Sequence, residues 1–267
     1  MNIRSNAHMI RAFGMRNTDP VASFSDPTSV PNLAAWYTAR DATTITVNVS
    51  NIVTEWADKS GLGNHATASA FVNPIYDGTK TINSIAVPTF DNAGANDCGL
   101  NLPLGLIRNL AGCTMISVAA ATSAGTRTLY GFGFDTFSTG TWQNLSADGV
   151  TGFVGGKKRV AADADQTVTG GDATAASLFI LTQWTDWQNT TMRVRVNGVQ
   201  VAESIAYQAT GNSADVAAGQ AFLGMDSYDA VSWRERIGEW MLYQRALDAT
   251  EIADIEGLMA TEWGITI

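Results

Sequence analysis

The chain has 267 residues, 45% of them apolar and 15% charged, and a formal net charge of −9. That is enough apolar material for one large domain with a sizeable core, and the scarcity of charge leaves Asn, Thr, Ser and Gly to carry much of the surface, a texture of short strands and turns. A negative chain with four lysines excludes nucleic acid and anionic membrane surfaces as partners, and no apolar run approaches the ~20 residues that span a bilayer.

Residues 1–30 show no sustained periodicity and contain Pro20 and Pro27, so they are expected to form an arm rather than a packed layer. Arginines at 4, 11 and 16 lie among scattered apolar residues without a continuous apolar stretch. The segment therefore does not read as a secretory signal peptide, and a transit peptide fits its composition only loosely. Ile3, Ile10 and Phe13, with Phe24 behind them, are too few for a core but more apolar than a solvating tail requires, and together with Arg4, Arg11 and Arg16 the first three are the expected anchor residues. The arm is expected to dock on a neighbouring protein, a capsid or another copy of this chain, with its positive charge seeking an acidic surface.

From Leu33 the texture changes to short β-prone runs divided by Gly, Asn and Asp clusters. "TEWADKSGLGNHATA" (54–68) holds Asp58, Ser60 and His65, the side-chain types of a hydrolytic triad. Triad members must converge so that each orients the next, and six or seven residues on a Gly-rich connection rarely do so. The expected role is a turn in which Asp58 accepts backbone N–H bonds and Gly61 and Gly63 take positive φ. Strands are predicted at 113–121, 127–134, 177–184, 191–204 and 236–245. In the fourth, Met192, Val194 and Val196 point one way and Arg193, Arg195 and Asn197 the other, the period of a strand with one buried face. Asn197-Gly198 predicts a two-residue hairpin. One helix follows: Asp248 and Glu251 form a variant capping box, Ile252, Ile255 and Met259 share a face with Leu258 and Trp263 beside it, and Gly264 is the stop. Gly257 inside it costs about 1 kcal/mol relative to Ala and is expected to mark a close packing contact. Cys98 and Cys113 have no metal-binding spacing and read as two buried free thiols, with one bridge as the alternative.

Specific residues then resemble a known family. "LAAWYTARDATTIT" (33–46) followed by Trp56, Asp58, Ser60, Gly61, Gly63, Asn64 and Ala66 is similar to the opening of concanavalin A-like lectin/glucanase domains of the laminin-G-like type. "MRVRVNGVQV" resembles their hairpin, and "IGEWMLYQRALDATEIADIEGLMATEWGI" (237–265) their closing strand and helix. It departs from the usual pattern at Leu258-Met259, where Tyr-Leu is common, and at Glu262, where Lys is common. The resemblance spans roughly residues 33–265. It implies an all-β jelly-roll β-sandwich over residues 31–267 with one C-terminal helix, preceded by the arm, and it leaves the ligand open.

The glucanase branch of that fold works with closely set carboxylates on one strand, and retaining chemistry needs them about 5–5.5 Å apart. The nearest pair here, Glu235 and Glu239, would lie about 13 Å apart along an extended strand, so no glycosidase is expected and no catalytic residue is assigned. Calcium is an alternative that the resemblance raises. Asp91, Asn92, Asn96 and Asp97, then Asp163 and Asp165, then Asp226 and Asp229 offer oxygen ligands, but none has an ordered calcium-loop spacing, and Asp and Asn are also turn residues. No metal residue or other cofactor is assigned. Trp36, Trp56, Trp240 and Trp263 are expected to be mostly core. Trp142, Trp187, Tyr228 and Trp233, with Trp184, lie near strand ends beside polar loops, and the first four are the candidate sugar-stacking residues. The expected function is a non-enzymatic, lectin-like structural protein of a virus or phage particle, a capsid decoration or fibre component. It would be assembled in the host cytoplasm, homo-oligomeric, and in contact with host-surface glycans. The alternatives are a carbohydrate-binding module of a bacterial surface system and, last, a glycoside hydrolase.

Overall fold

The computed structural model describes residues 24–90, 97–121, 127–133, 141, 143–148, 152–156, 158–172, 177–215, 219–227 and 232–267. In chain order the first strands are β1 (Leu33–Thr38), β2 (Ile45–Val47), β3 (Val53–Trp56), β4 (Ala66–Ala68), β5 (Thr81–Ile82), β6 (Ile85–Ala86) and β7 (Leu100–Asn101). The longer central ones are β8 (Gly112–Ala121), β9 (Arg127–Gly133), β10 (Gln143–Asp148), β11 (Gly152–Gly155), β12 (Val168–Gly170) and β13 (Ser177–Asp186). The chain closes with β14 (Thr191–Val196), β15 (Val199–Ser204), β16 (Gln220–Leu223), β17 (Ile237–Tyr243) and helix α1 (Ala249–Trp263).

Among the described residues these strands form a six-stranded sheet in the order β1-β17-β8-β13-β14-β15 and a nine-stranded sheet in the order β12-β11-β10-β9-β16-β7-β4-β3-β2, with β5 and β6 as a separate pair. The two large sheets make an all-β sandwich. Aromatic side chains stitch it from inside: Tyr37 of β1 stacks on Trp240 of β17 at 5.5 Å, and Tyr130 of β9 meets the same indole edge-on at 5.9 Å. Phe153 of β11 packs on Phe179 of β13. Such pairs contribute about 0.5–1.5 kcal/mol beyond the area they bury.

Each of the five predicted regions holds strand among its described residues, the fourth as two strands joined by a turn. Asn197 and Gly198 have φ of 47° and 78°, the double left-handed turn that an Asn-Gly hairpin favours, and Val196 pairs with Val199 across it. Met192 and Val194 are fully buried, while Arg193 and Arg195 lie on the opposite face. Helix α1 covers that outer face. Asp248 accepts from the backbone of Thr250 and Glu251, the Glu251 side chain accepts from Asp248 N, and Gly264 ends the helix at φ 62°. Ile252, Ile255, Met259 and Trp263 are buried beneath it. Glu256, 1% exposed, receives the Thr182 hydroxyl and a forked Arg195 guanidinium.

Two expectations change. Gly257 faces open space where a Cβ would sit, so no packing contact explains it. Residues 24–30, read as arm, belong to the body. Asp26 caps a 3₁₀ turn at Pro27–Ser29, Pro27 and Val30 are buried, and Tyr243 donates its hydroxyl to the Pro27 carbonyl. The apolar side chains there, sparse as they are, meet a surface made by the end of the chain. The anchor residues Ile3, Arg4, Ile10, Arg11, Phe13 and Arg16 lie outside the described residues. As the first of the two readings had it, Cys98 and Cys113 are buried thiols with no bridge between them, and burial pushes the Cys113 thiol up to about 12.

Candidate functional site

Adjacent residues of a strand face opposite sides. With Tyr37 turned inward onto Trp240, Trp36 is directed to the outer face of the six-stranded sheet, where it is half-buried. Its indole Nε1 donates to Glu239 Oε1 at 2.6 Å. The other carboxylate oxygen of Glu239 accepts from Trp263 Nε1 at the end of α1. Glu239 is 0% exposed. Burial pushes its carboxyl up to about 7 against the two indole donors, with Glu262 raising it further and Arg40 lowering it. The end of α1 fits this closely because residue 238 is a glycine: a Cβ there would come within 2.7 Å of the Trp263 ring.

β1 is an edge strand, and edge strands expose unpaired backbone groups that natural sheets cover. Here the Asp58 turn covers it. Asp58 Oδ1 accepts from Trp36 N at 2.9 Å and Ser60 N at 2.8 Å, and Oδ2 accepts from Ser60 Oγ and Asn64 N. Lys59 N donates to the Trp36 carbonyl, and Asn64 Nδ2 and Ser60 Oγ donate to the Ala34 carbonyl. Gly61 and Gly63 take φ of 87° and 74°. His65 Nδ1 accepts from the backbone of Asp58 rather than facing Ser60. The triad types thus form an edge-capping turn, and they are engaged as backbone partners.

The same turn delivers Lys59 to the outer face, where its ammonium sits 5.6 Å from the Trp36 ring centroid and 2.6 Å from Asp41 Oδ2. Lys59, then Thr43, hold the Asp41 carboxyl down at about 2. Arg40 pairs with Glu262 of α1. Together Ser25, Asp26, Trp36, Arg40, Asp41, Lys59 and Glu262 line most of a cleft of about 380 Å³. An aromatic wall is thereby ringed by hydrogen-bonding groups of both signs. A second depression of about 310 Å³ lies beside Phe71, Leu102, Leu104 and Phe222, with Asn101 and Gln220 as its amide groups. It is largely apolar and has no ionised side chain in its wall.

The aromatic residues chosen from sequence fall elsewhere. Trp187 and Trp233 are both 0% exposed and offer no face to a sugar. Trp187 follows β13 with its backbone N–H on the Ala111 carbonyl, and Trp233 donates Nε1 to the Ala120 carbonyl. Both rings belong to the buried hydrophobic core, where large aromatic bodies contribute apolar burial rather than a binding face. Trp184, 9% exposed, donates to the Leu247 carbonyl and carries the Arg193 guanidinium over its ring. Trp142 and Tyr228 lie outside the described residues. Trp56 and Trp240 are core as expected, and Trp263 is buried between helix and sheet. Trp36, expected in the core, is the exception. The signal was present: Trp36 and Tyr37 are neighbours in a strand, so both could not face inward.

Glu235 and Glu239 have separate partners. Glu235 precedes β17 and lies beside Arg236, whereas Glu239 is sealed between two indoles. Among the described residues no three His, Cys, Asp or Glu side chains converge as a metal cluster. Asp163 pairs with Arg159 and Asp165 with Lys158. Asp91, Asn92, Asn96 and Asp229 are outside the described residues.

Neither a scan of protein-family models nor a search of curated proteins found a match. Solved structures do match. Trypanosoma rangeli sialidase aligns over 88% of this chain and 34% of its own, at 13% identity and a TM-score of 0.59. The chain therefore spans about a third of the sialidase chains it resembles. Domain 4 of AbnA, a GH43 extracellular arabinanase from Geobacillus stearothermophilus solved in complex with arabinotriose, aligns over 84% of this chain and 98% of its own, at 16% identity and 0.54. The binding domain of botulinum neurotoxin serotype G aligns over 86% and 52%, at 10% identity and 0.54. At these identities the likeness is one of fold.

Proposed function

We propose that this chain is a non-enzymatic carbohydrate-binding β-sandwich whose site is the cleft at Trp36. The observation that carries the reading is the half-buried indole among Asp26, Arg40, Asp41, Lys59 and Glu262. Sugars are recognised by stacking an apolar ring face on an aromatic and bridging hydroxyls to charged or amide groups, a combination of apolar wall and few convergent polar groups. The arabinanase domain, matched over nearly its whole length and solved with arabinotriose, supports this class of ligand. The cleft carries three carboxylates against two cations, and both cations are paired. With the chain at −9, this balance favours a neutral saccharide over an acidic one. The absence of turnover is supported by Glu239, whose two oxygens are both occupied.

The test is titration calorimetry with arabinotriose and a panel of neutral and sialylated oligosaccharides. Saturable binding of a neutral member, lost in Trp36→Ala, is expected. No binding across the panel, or binding that Trp36→Ala leaves intact, defeats the reading.

The finer reading is a lectin-like component of a virus or phage particle, tethered by the arm, with the concanavalin A-like resemblance of residues 33–265 as its background. It rests on composition: Arg4, Arg11 and Arg16 concentrate positive charge at one end of an acidic chain. Since residues 24–30 are part of the sandwich, the tether is residues 1–23. Their deletion is expected to leave a folded protein that no longer joins its assembly, and normal incorporation of the truncated chain overturns it.

A further inference from the structure

Glu239 is a buried carboxylate whose oxygens each hold one indole, Trp36 in the cleft wall and Trp263 at the end of α1. We propose that Glu239 is a positioning residue for the saccharide cleft: it clamps the Trp36 ring against the helix, and protonation of the clamp weakens sugar binding. This rests on the reading of the cleft as a sugar site.

Apart from the Lys59 ammonium 5.6 Å from its ring centroid, the geometry offers the outer indole one orienting partner. Tyr37 and Ala35, its strand neighbours, face away into the core. The backbone of Trp36 is fixed by Asp58 and Lys59, while the single N–H donor of its ring is committed to Glu239. Hydrogen bonds to an ionised acceptor are roughly twice as strong as neutral ones. An ionised Glu239 grips both rings; a neutral one carries a proton on one oxygen and grips that partner less. The groups that face it from the packed elements are few. Arg40, just past β1, favours the charged form, Glu262 of α1 opposes it, and Tyr243 on β17 is a phenol that burial keeps neutral. Lys59, Asp41 and Asp26 lie in the cleft with Trp36. Burial places the change of state near neutrality, at about 7.

Two measurements test the clamp. ¹⁵N NMR of the indole N–H groups, with Trp36→Phe and Trp263→Phe assigning the two signals, reads it without any ligand. Both resonances are expected to titrate with one midpoint near neutrality and to stop titrating in Glu239→Gln. Arabinotriose titrations at pH 5.5 and pH 8 read its effect, using instead whichever neutral member of the panel binds if arabinotriose does not. Affinity is expected to be about fivefold higher at pH 8, from one weakened charge-assisted bond, and nearly pH-independent in Glu239→Gln. Should Glu239→Gln fail to fold, Trp263→Phe removes one donor to the carboxylate and is expected to raise the midpoint of both the Trp36 resonance and the affinity; an unmoved midpoint overturns the clamp. Binding that Trp36→Ala abolishes but that pH and Glu239→Gln leave unchanged overturns the positioning role and spares the sugar site. Binding indifferent to Trp36→Ala, or none at all, removes the site and the proposal with it.

Discussion

Replacing Asp58 by Ala strips the edge cap from β1. Three backbone donors lose their acceptor, the N–H groups of Trp36, Ser60 and Asn64, and the Ser60 hydroxyl is left with the Ala34 carbonyl alone. A hydrogen bond to a charged group contributes about 1.5–3 kcal/mol when its donor cannot reach water. Ser60 and Asn64 are only half-buried, so water recovers much of their share. Trp36 N, on a strand edge under the turn, is less accessible. We expect a loss of about 3 kcal/mol, a melting temperature lower by roughly 6–12 °C for a chain of this size, and faster amide exchange at Trp36. Asp58→Asn retains one acceptor oxygen, enough for Trp36 and Ser60 N–H, and should lose about half as much. Urea unfolding followed by tryptophan fluorescence gives both values. A change below about 1 kcal/mol in Asp58→Ala, or equal damage in both variants, would refute the edge-cap argument. Unchanged stability with lost sugar binding would instead place the turn in the recognition machinery.

Other substitutions test other parts of the fold. Gly257→Ala should stabilise the protein by about 1 kcal/mol, since the methyl meets open space and the helix gains propensity; a lower melting temperature contradicts this. Glu239 has a folded carboxyl near 7 against an ordinary 4.5, so the folded chain holds a proton that the unfolded chain has released. Its contribution is fully present below the ordinary value and declines as pH rises between the two, by up to about 3 kcal/mol, then levels off. Denaturation at several pH values should show that decline in the native protein and not in Glu239→Gln, and parallel profiles would count against it. Inside the sandwich, Tyr130 donates to Gln183, Gln183 to Gln143 and Gln143 to Tyr207. Gln183→Leu should cost about 2–4 kcal/mol by orphaning the Tyr130 hydroxyl and the Gln143 carbonyl, and the Gln143→Leu/Gln183→Leu pair should cost less than the two singles combined. Strict additivity would show that the chain of side chains does not act as a unit.

What the sequence alone determined is what is encoded over a few neighbouring residues. Period-2 runs marked the long strands, Asn197-Gly198 marked the hairpin, and Asp248, Glu251 and Gly264 bounded the helix, because backbone sterics and local capping act within a turn or a pleat. The Asp58 turn was legible for the same reason: its glycines and short acceptors can satisfy few other conformations. The sequence could not show where the Asp58 bonds end, and the structure sends one to Trp36, 22 residues earlier. The cleft belongs wholly to tertiary structure. Trp36 reaches Glu239 across 203 residues and Arg40 reaches Glu262 across 222, contacts created when β1 pairs with β17 and α1 folds back over the sheet. Aromatic composition nominated Trp187 and Trp233, but a large ring near a strand end serves equally well as a plug or a platform. Which of these it becomes depends on the loops packed above it, and no local pattern records that.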